Sequence, residues 1–183
     1  MKMKKSILFI ALVAATGSMF AQKKTTTSAS INFDATTSLD KLAKAENKTV
    51  IAAVDTKKGT LAFEAIVKNF AFGNPTMQDH FNAPTWLDSE KFPTATFKGN
   101  IVNFSAINFS KDGTYDAEVA GDLTLHGITK PVTTKGKIVV NGKSVSANAD
   151  FNIKLEDFGV NGPAIGAGKV AKEPKISVFA ELI

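Results

Sequence analysis

Residue types that often take part in catalysis, metal binding or anion recognition are missing from this sequence or rare in it. It has no cysteine, no arginine and only two histidines among its 183 residues. The lack of cysteine excludes disulfides, thiol nucleophiles and thiolate metal sites. His80 and His126 lie far apart, without the HxH or HxxxH spacing of a two-histidine metal site, and no Gly-x-Ser-x-Gly elbow occurs. The sequence therefore predicts no metal site, no bound cofactor and no catalytic residue, and hence no enzyme.

The absence of arginine also argues against a nucleic-acid partner, because arginine supplies most bidentate contacts to bases and phosphates. The sequence pI of about 9.3 comes partly from Lys2, Lys4 and Lys5 at the start of the chain. Without them, 19 of the 22 basic residues remain against 17 acidic residues, a net charge of +2. No basic stripe is present, so we expect no binding to nucleic acid.

Residues 1–21 have the build of a secretory signal peptide. A lysine-rich start precedes an apolar run over 7–15 and a short exit segment, which favours cleavage between Ala21 and Gln22. The apolar run is too short to span a membrane as a helix. We therefore expect an exported protein, periplasmic or secreted and not membrane-spanning, in which residues 22–183 form one domain. No separate apolar stripe indicates a particular oligomeric state.

Period-two alternation of apolar and polar residues is the strongest pattern in the remaining chain. Over 115–126 it predicts a long strand with one buried face. Turn residues at 57–59, 112–113 and 141–142 predict tight hairpins between antiparallel neighbours. Eight strands are predicted, over 29–33, 50–54, 61–67, 95–101, 115–126, 132–140, 145–155 and 176–182.

Eight antiparallel strands close most economically into an up-and-down barrel, an all-β fold that leaves no sheet edge. The inward positions mix small residues such as Ala65, Gly121 and Ala149 with phenylalanines such as Phe63 and Phe97. Both a tapered, packed core and an apolar lumen for one ligand fit this mixture, and the shortage of leucine and isoleucine there favours the lumen. Charged residues at outward mid-strand positions disfavour a membrane barrel.

One segment, at about residues 74–91, breaks the alternation and predicts a short helical insert across the end of the sheet. Met77 and Phe81 are at helical spacing. Together with Phe70, Phe72 and Trp86 they form a dense apolar set for a connecting segment. The insert is therefore a candidate for either a mobile lid or a fixed plug at one barrel end.

His126 is followed by Gly127 and, soon after, by Pro131 at the start of the next strand. Glycine gives the backbone the freedom that a tight reversal needs, and proline is tolerated at the first residues of a strand. The pattern predicts a turn residue with a hydrogen-bonding side chain, not a reactive centre.

Several stretches resemble the YceI-like, polyisoprenoid-binding family. They are "INFDA" (31–35), "LAFEAIVKNFAF" (61–72), "DHFNAPTWLDSEKFPTATFKGNI" (79–101), "VAGDLTLHGITKPV" (119–132) and "LEDFGV" (155–160) with the glycine-rich loop after it. The resemblance covers essentially all of residues 22–183. It implies a lipocalin-like eight-stranded barrel, exported to the periplasm, that is not an enzyme. Its lumen would carry or store a long isoprenoid or other lipid-like chain.

Under this interpretation, inward-facing apolar residues shelter the tail, and residues of the insert lie at the mouth. Many family members carry an arginine shortly before the histidine of this segment, whereas Met77, Gln78 and Asp79 precede His80 here. A neutral head group, or one bound by lysine, is therefore favoured. The expected ligand-binding residues are Phe63, Val67, Phe70, Met77, His80, Phe81, Trp86, Phe97, Ile101, Val119, Leu123, Phe151 and Ile153.

Two other functions stay open from the residues alone. A barrel could hold haem or another tetrapyrrole, with one histidine as the axial ligand. A barrel with a packed core could serve a structural role and bind no ligand.

Overall fold

The alternating segments form strands that wind in chain order around a single axis. A computed structural model describes residues 23–183. Each strand pairs antiparallel with its neighbour, and the last strand pairs back with the first between Asp34–Lys175 and Ser30–Phe179. The elements are β1 (Lys23–Asp34), β2 (Lys44–Asp55), β3 (Thr60–Ile66), β4 (Ala71–Phe72), α1 (Pro75–Asn82), β5 (Thr94–Ile101), β6 (Gly113–Leu125), β7 (Ile128–Asn141), β8 (Ser144–Asn152), α2 (Pro163–Gly166) and β9 (Lys175–Leu182).

Eight of these strands close the barrel in the order β1-β2-β3-β5-β6-β7-β8-β9, which confirms the predicted all-β, eight-stranded antiparallel up-and-down barrel. The ninth, β4, has two residues, and it pairs with the start of β2 through Ala45–Phe72 and Glu46–Ala71. Two residues are too few for an alternation signal, so the sequence did not predict β4. The predicted signal peptide, residues 1–21, lies outside the described residues.

Several strands are longer than predicted, most clearly β1, β2 and β7, and three further features differ from the prediction. The strand expected over 145–155 ends at Asn152, because Leu155 begins a 3-10 turn that buries Leu155 and Phe158. The hairpin expected at 112–113 is wrong, because residues 102–112 form a longer connection with a 3-10 turn of its own. The insert expected over 74–91 holds one helix, α1, and continues as turns.

The predicted turn at His126 is confirmed. His126 and Gly127 both have positive φ, 51° and 75°, and form the two-residue loop between β6 and β7. The His126 Nδ1–H group donates to the carbonyl oxygen of Phe158 at 3.0 Å, and the imidazole packs edge-on against Phe92. His126 therefore ties this hairpin to the turn that follows β8.

The two ends of the barrel are built differently. At one end, Phe104, Ile107 and Phe109 of the 102–112 connection pack into a second apolar cluster, here called the closed-end cluster. At the other end stand α1, the β1–β2 loop and the β8–β9 connection. The buried members of the closed-end cluster are Ile101, Ile107, Ala117, Ile138, Val140 and Val145.

A pair of facing glycines brings β5 and β6 close together at mid-height. Gly99 pairs with Gly121, and the ring of Phe97 lies against both. A Cβ atom at Gly121 would lie 2.4 Å from the carbonyl oxygen of Lys98 and 2.5 Å from the Cα of Gly99. Both are backbone atoms, so a side chain at this position requires the sheet itself to move.

We expect Gly121→Ala to lower the free energy of unfolding by about 1–3 kcal/mol, the usual cost of overpacking a close contact. Urea denaturation followed by circular dichroism measures it. Gly73→Ala is the matched control, because nothing lies within 4 Å of a Cβ there. Equal stability of the two variants would show that the glycine pair does not constrain the barrel.

Candidate ligand-binding lumen

The barrel encloses a cavity of about 170 Å³, here called the lumen cavity. All eight barrel strands contribute to its wall, and segments at the open end add to it. Its apolar side chains are Ile31, Phe33, Val54, Leu61, Phe63, Ala65, Val67, Phe70, Phe81, Trp86, Leu87, Ala95, Phe97, Ala117, Val119, Leu123, Leu125, Val132, Ile138, Ala147, Ala149, Phe151, Ile153, Leu155, Ile176 and Val178.

The cavity exists because many inward positions are too small to fill the barrel. Ala95, Gly136 and Ala149 alternate with large residues such as Phe63 and Phe151. Those phenylalanines face inward yet are half-buried instead of fully buried, because the cavity leaves part of each ring uncovered. A packed interior has few voids larger than a water molecule. A barrel packed solid therefore does not describe this interior.

The polar residues at the wall do not bring charge into the lumen. Lys137 borders the cavity, but its ammonium group donates to Asp116 Oδ1 at 2.8 Å on the outer face. This hydrogen bond and the lysine's charge lower the pKa of the Asp116 carboxyl. Thr134 donates its hydroxyl to backbone oxygens of Lys135 and Asp150. The lumen cavity is thus an apolar space.

A second cavity of about 350 Å³, here called the outer chamber, lies at the open end. Three of its wall residues, His80, Thr85 and Pro163, are exposed, so the chamber faces solvent. Its walls come from α1 and the turns after it, the β1–β2 loop and the β8–β9 connection. The lining residues are Phe33, Ala43, Phe72, Met77, His80, Phe81, Thr85, Trp86, Gly162, Pro163, Ala164 and Val170.

Phe33, Phe81 and Trp86 line both cavities and form the partition between them. Phe81 is the central member and is buried. Its ring centroid lies 5.6 Å from that of Phe33, 5.8 Å from Phe70 and 4.9 Å from Phe72. These ring contacts are apolar, and their geometry is that of tilted or edge-on aromatic pairs.

Local chemistry fixes α1 and thereby the position of Phe81. Asn74 caps the helix by accepting a hydrogen bond from the Thr76 amide at 2.9 Å, and Pro75 suits the first turn, which needs no amide donor. The amide of Phe72 donates to Gln78 Oε1 at 3.0 Å and ties α1 to β4. The apolar side of this short helix then lies over the barrel end.

The predicted ligand-binding residues fall into four groups. Met77 and His80 line only the outer chamber, and Phe81 and Trp86 line both cavities. Ile101 borders neither cavity and is buried in the closed-end cluster. The residues that line only the lumen cavity are Phe63, Val67, Phe70, Phe97, Val119, Leu123, Phe151 and Ile153.

Sequence reasoning missed part of both cavities. Ile31, Val54 and Val178 line the lumen cavity, and the alternation of their strands would have placed them there. Ala43 and Gly162 line the outer chamber, but they lie in loops that carry no periodic signal. Only the tertiary fold brings these two loops to the same end of the barrel.

The electrostatics of the open end include one shifted carboxyl group. Hydrogen bonds from the hydroxyl and the amide of Thr36 hold the pKa of Asp34 below its usual value, and the charges of Lys44 and Lys175 contribute. Within residues 23–183, no group of three or more potential metal ligands is present. In the same part of the chain, no helix has the length and hydropathy needed to cross a membrane.

The fold and the cavities define a class: a closed antiparallel barrel with an apolar lumen and a chamber at its open end. The chain belongs to the YceI-like family, whose domain matches residues 12–182.

Among curated relatives, a UPF0312 protein from Pseudomonas putida (strain W619) is 38% identical over 105 residues, which cover 54% of this chain and 50% of that protein. Protein YceI from Escherichia coli O17:K52:H18 is 37% identical over 94 residues, or 46% of this chain and 45% of that protein. The chain thus spans about half the length of the curated relatives it matches.

Two solved structures share the fold. BcnA from Burkholderia cenocepacia superposes with a TM-score of 0.70 at 21% identity, covering 85% of this chain and 96% of that chain. A polyisoprenoid binding domain from Saccharophagus degradans superposes with a TM-score of 0.73 at 10% identity, covering 88% and 97%. At these identities the likeness concerns the fold.

Trp86 is the single tryptophan of the chain and lies at the partition. An apolar molecule that enters either cavity changes the surroundings of the indole. We expect titration with such a molecule to shift the tryptophan emission to shorter wavelength. Trp86→Phe serves as the optical control, since its emission lacks the tryptophan signal. Binding detected by mass without any change in Trp86 emission would place the ligand elsewhere.

Proposed function

We propose that this protein binds a long isoprenoid or other lipid-like molecule, with the tail in the lumen cavity and the head group in the outer chamber. The protein acts as a carrier or store and not as an enzyme. One observation carries the proposal. Inward-facing apolar side chains, among them Phe63, Leu123 and Phe151, line a space that the protein itself does not fill.

The energetics favour an apolar occupant. Each Å² of apolar surface removed from water is worth about 25 cal/mol, so sheltering about 400 Å² of tail contributes about 10 kcal/mol before the costs of ordering. Such burial needs little directional contact, so the lumen tolerates tails of different structure. The Saccharophagus degradans domain of the same fold, which is a polyisoprenoid binding domain, supports this class of ligand.

The alternatives that the sequence left open receive less support. His126 donates to the Phe158 carbonyl at a hairpin, and His80 lies in the outer chamber, so neither histidine of the chain lines the lumen cavity. A tetrapyrrole held inside the barrel would therefore lack a histidine ligand there. The cavity itself argues against a packed barrel without a ligand.

A lumen-filling substitution tests the proposal. Ala149 and Asn148 both border the lumen cavity, but neighbouring side chains on β8 point to opposite faces and Asn148 is exposed, so Ala149→Phe and Asn148→Phe place the same ring on opposite sides of the barrel wall. We expect Ala149→Phe to weaken uptake of geranylgeraniol at least about tenfold, because the ring occupies the tail's space. Asn148→Phe should bind as the wild type does.

Native mass spectrometry of protein purified without detergent measures the bound fraction, and thermal unfolding checks that both variants fold. The same spectra identify any lipid that co-purifies. Equal uptake by the two variants would exclude the lumen as the binding site, and no uptake by the wild type would refute the proposed function.

We propose further that the protein is exported and that its signal peptide is cleaved between Ala21 and Gln22, as the leader pattern predicts. After expression in a bacterium with an outer membrane, osmotic shock should release the protein, and its intact mass should correspond to a chain that begins at Gln22. Retention of the full-length chain in the cytoplasm would contradict this.

A further inference from the structure

Within residues 23–183, no lysine ammonium group lies at the wall of either cavity, where it could pair with an anionic ligand. Lys137, which borders the lumen cavity, has its ammonium group on the outer face against Asp116. The outer chamber has no lysine in its wall. Lys44 and Lys169 flank the wall residues Ala43 and Val170, but both lysines are exposed and neither lines the chamber.

The charged residues next to Phe33 and His80 in the sequence are acidic. Asp34 follows Phe33, and hydrogen bonds from Thr36 favour its ionised form. Asp79 precedes His80 and is exposed on α1. Lys44 and Lys175 lie near the Asp34 carboxylate, and neither lines the chamber, so an anionic group held there would find no cationic side chain in the chamber wall.

The chamber does offer contacts for an uncharged polar group. His80 and Thr85 provide hydrogen-bonding side chains at its exposed side. Trp86 provides a flat ring, and Gly162 leaves room beside it, since a Cβ at Gly162 would lie 3.4 Å from that ring. Both features suit a small head group with a hydroxyl or carbonyl oxygen.

We infer that the outer chamber selects an uncharged head group and rejects a phosphorylated one. This inference rests on the proposed function and narrows its ligand class to isoprenoid or lipid alcohols, carbonyl compounds and similar neutral molecules. The physical reason is partial desolvation. An anionic head group gives up part of its hydration where it meets the chamber wall, and a wall with neutral hydrogen-bonding groups and no cationic partner returns less than is lost.

A pair of ligands with the same tail tests this directly. Geranylgeraniol and geranylgeranyl diphosphate differ only in the head group. Both are titrated below their aggregation concentrations at pH 8, where an ordinary imidazole is uncharged. We expect the wild-type protein to bind the diphosphate at least about tenfold more weakly than the alcohol, because the diphosphate loses hydration at the chamber wall without gaining a cationic partner.

A charge placed in the chamber should reverse the preference. Met77 is half-buried in the chamber wall, and lysine has a stem of similar length, so Met77→Lys brings an ammonium group into the chamber. We expect this variant to bind the diphosphate about tenfold more tightly than the wild type does. Thr76→Lys is the matched control, because Thr76 is exposed on the same helix and does not line the chamber.

The outcomes separate this inference from the proposed function. Failure of both ligands to bind the wild type would refute the proposed function. Equal binding of alcohol and diphosphate by the wild type would overturn the selection of an uncharged head group and leave the tail site in place. An equal gain in Met77→Lys and Thr76→Lys would also overturn it, because general attraction at the surface would then explain the effect. The comparison of alcohol and diphosphate binding by the wild-type protein tests the inference even if Met77→Lys does not fold.

Discussion

Closure of the sheet through β1, which pairs with β9 on one side and with β2 on the other, is the constraint on which both cavities depend. The β1–β2 pairing runs from Lys23–Asp55 to Asp34–Lys44, and its register shifts twice, on either side of Ala29. Such irregularities bend a strand and increase its twist, which a sheet needs in order to meet itself. Because side chains alternate along every strand, closure sends one complete parity inside and the other outside. An open sheet with the same residues would expose the lumen wall to water and would have two unpaired edges.

The width of the lumen is set by backbone contacts as much as by side chains. Gly99 and Gly121 let β5 and β6 approach, and a Cβ at Gly136 would lie 2.2 Å from the carbonyl oxygen of Asn148 on β8. The ring of Phe97 covers the first pair from inside. Glycine at these points lets neighbouring strands come close, and small inward residues such as Ala149, which pairs with Gly136, leave space toward the barrel axis. The cavity therefore results from small residues at inward positions, and their places along the strands determine where it lies.

The alternation in the sequence predicted which side chains face inward, but it did not predict positions along the barrel axis or contacts between loops. Period-two patterns placed the inward face of β6 correctly, and the turn at His126 followed from glycine chemistry. Alternation says which face a residue takes but not its height along the axis, which is why Ile101 was assigned to the lumen although it belongs to the closed end. The outer chamber depends on contacts between loops distant in sequence, such as those that hold Ala43 and Gly162. No local pattern reports such contacts.

The partition at Phe81 is where the volume of the lumen cavity limits how much of a long ligand can lie inside the barrel. An engineered apolar cavity of about 150 Å³ holds one benzene molecule, so a lumen cavity of about 170 Å³ accommodates only part of a long tail. Under the proposed function, the rest of the tail would extend past the partition into the outer chamber, which is larger. The ring contacts of Phe81 with Phe33 and Phe72 are apolar. A tail at the partition would therefore meet the same kind of apolar surface that it meets in the lumen cavity.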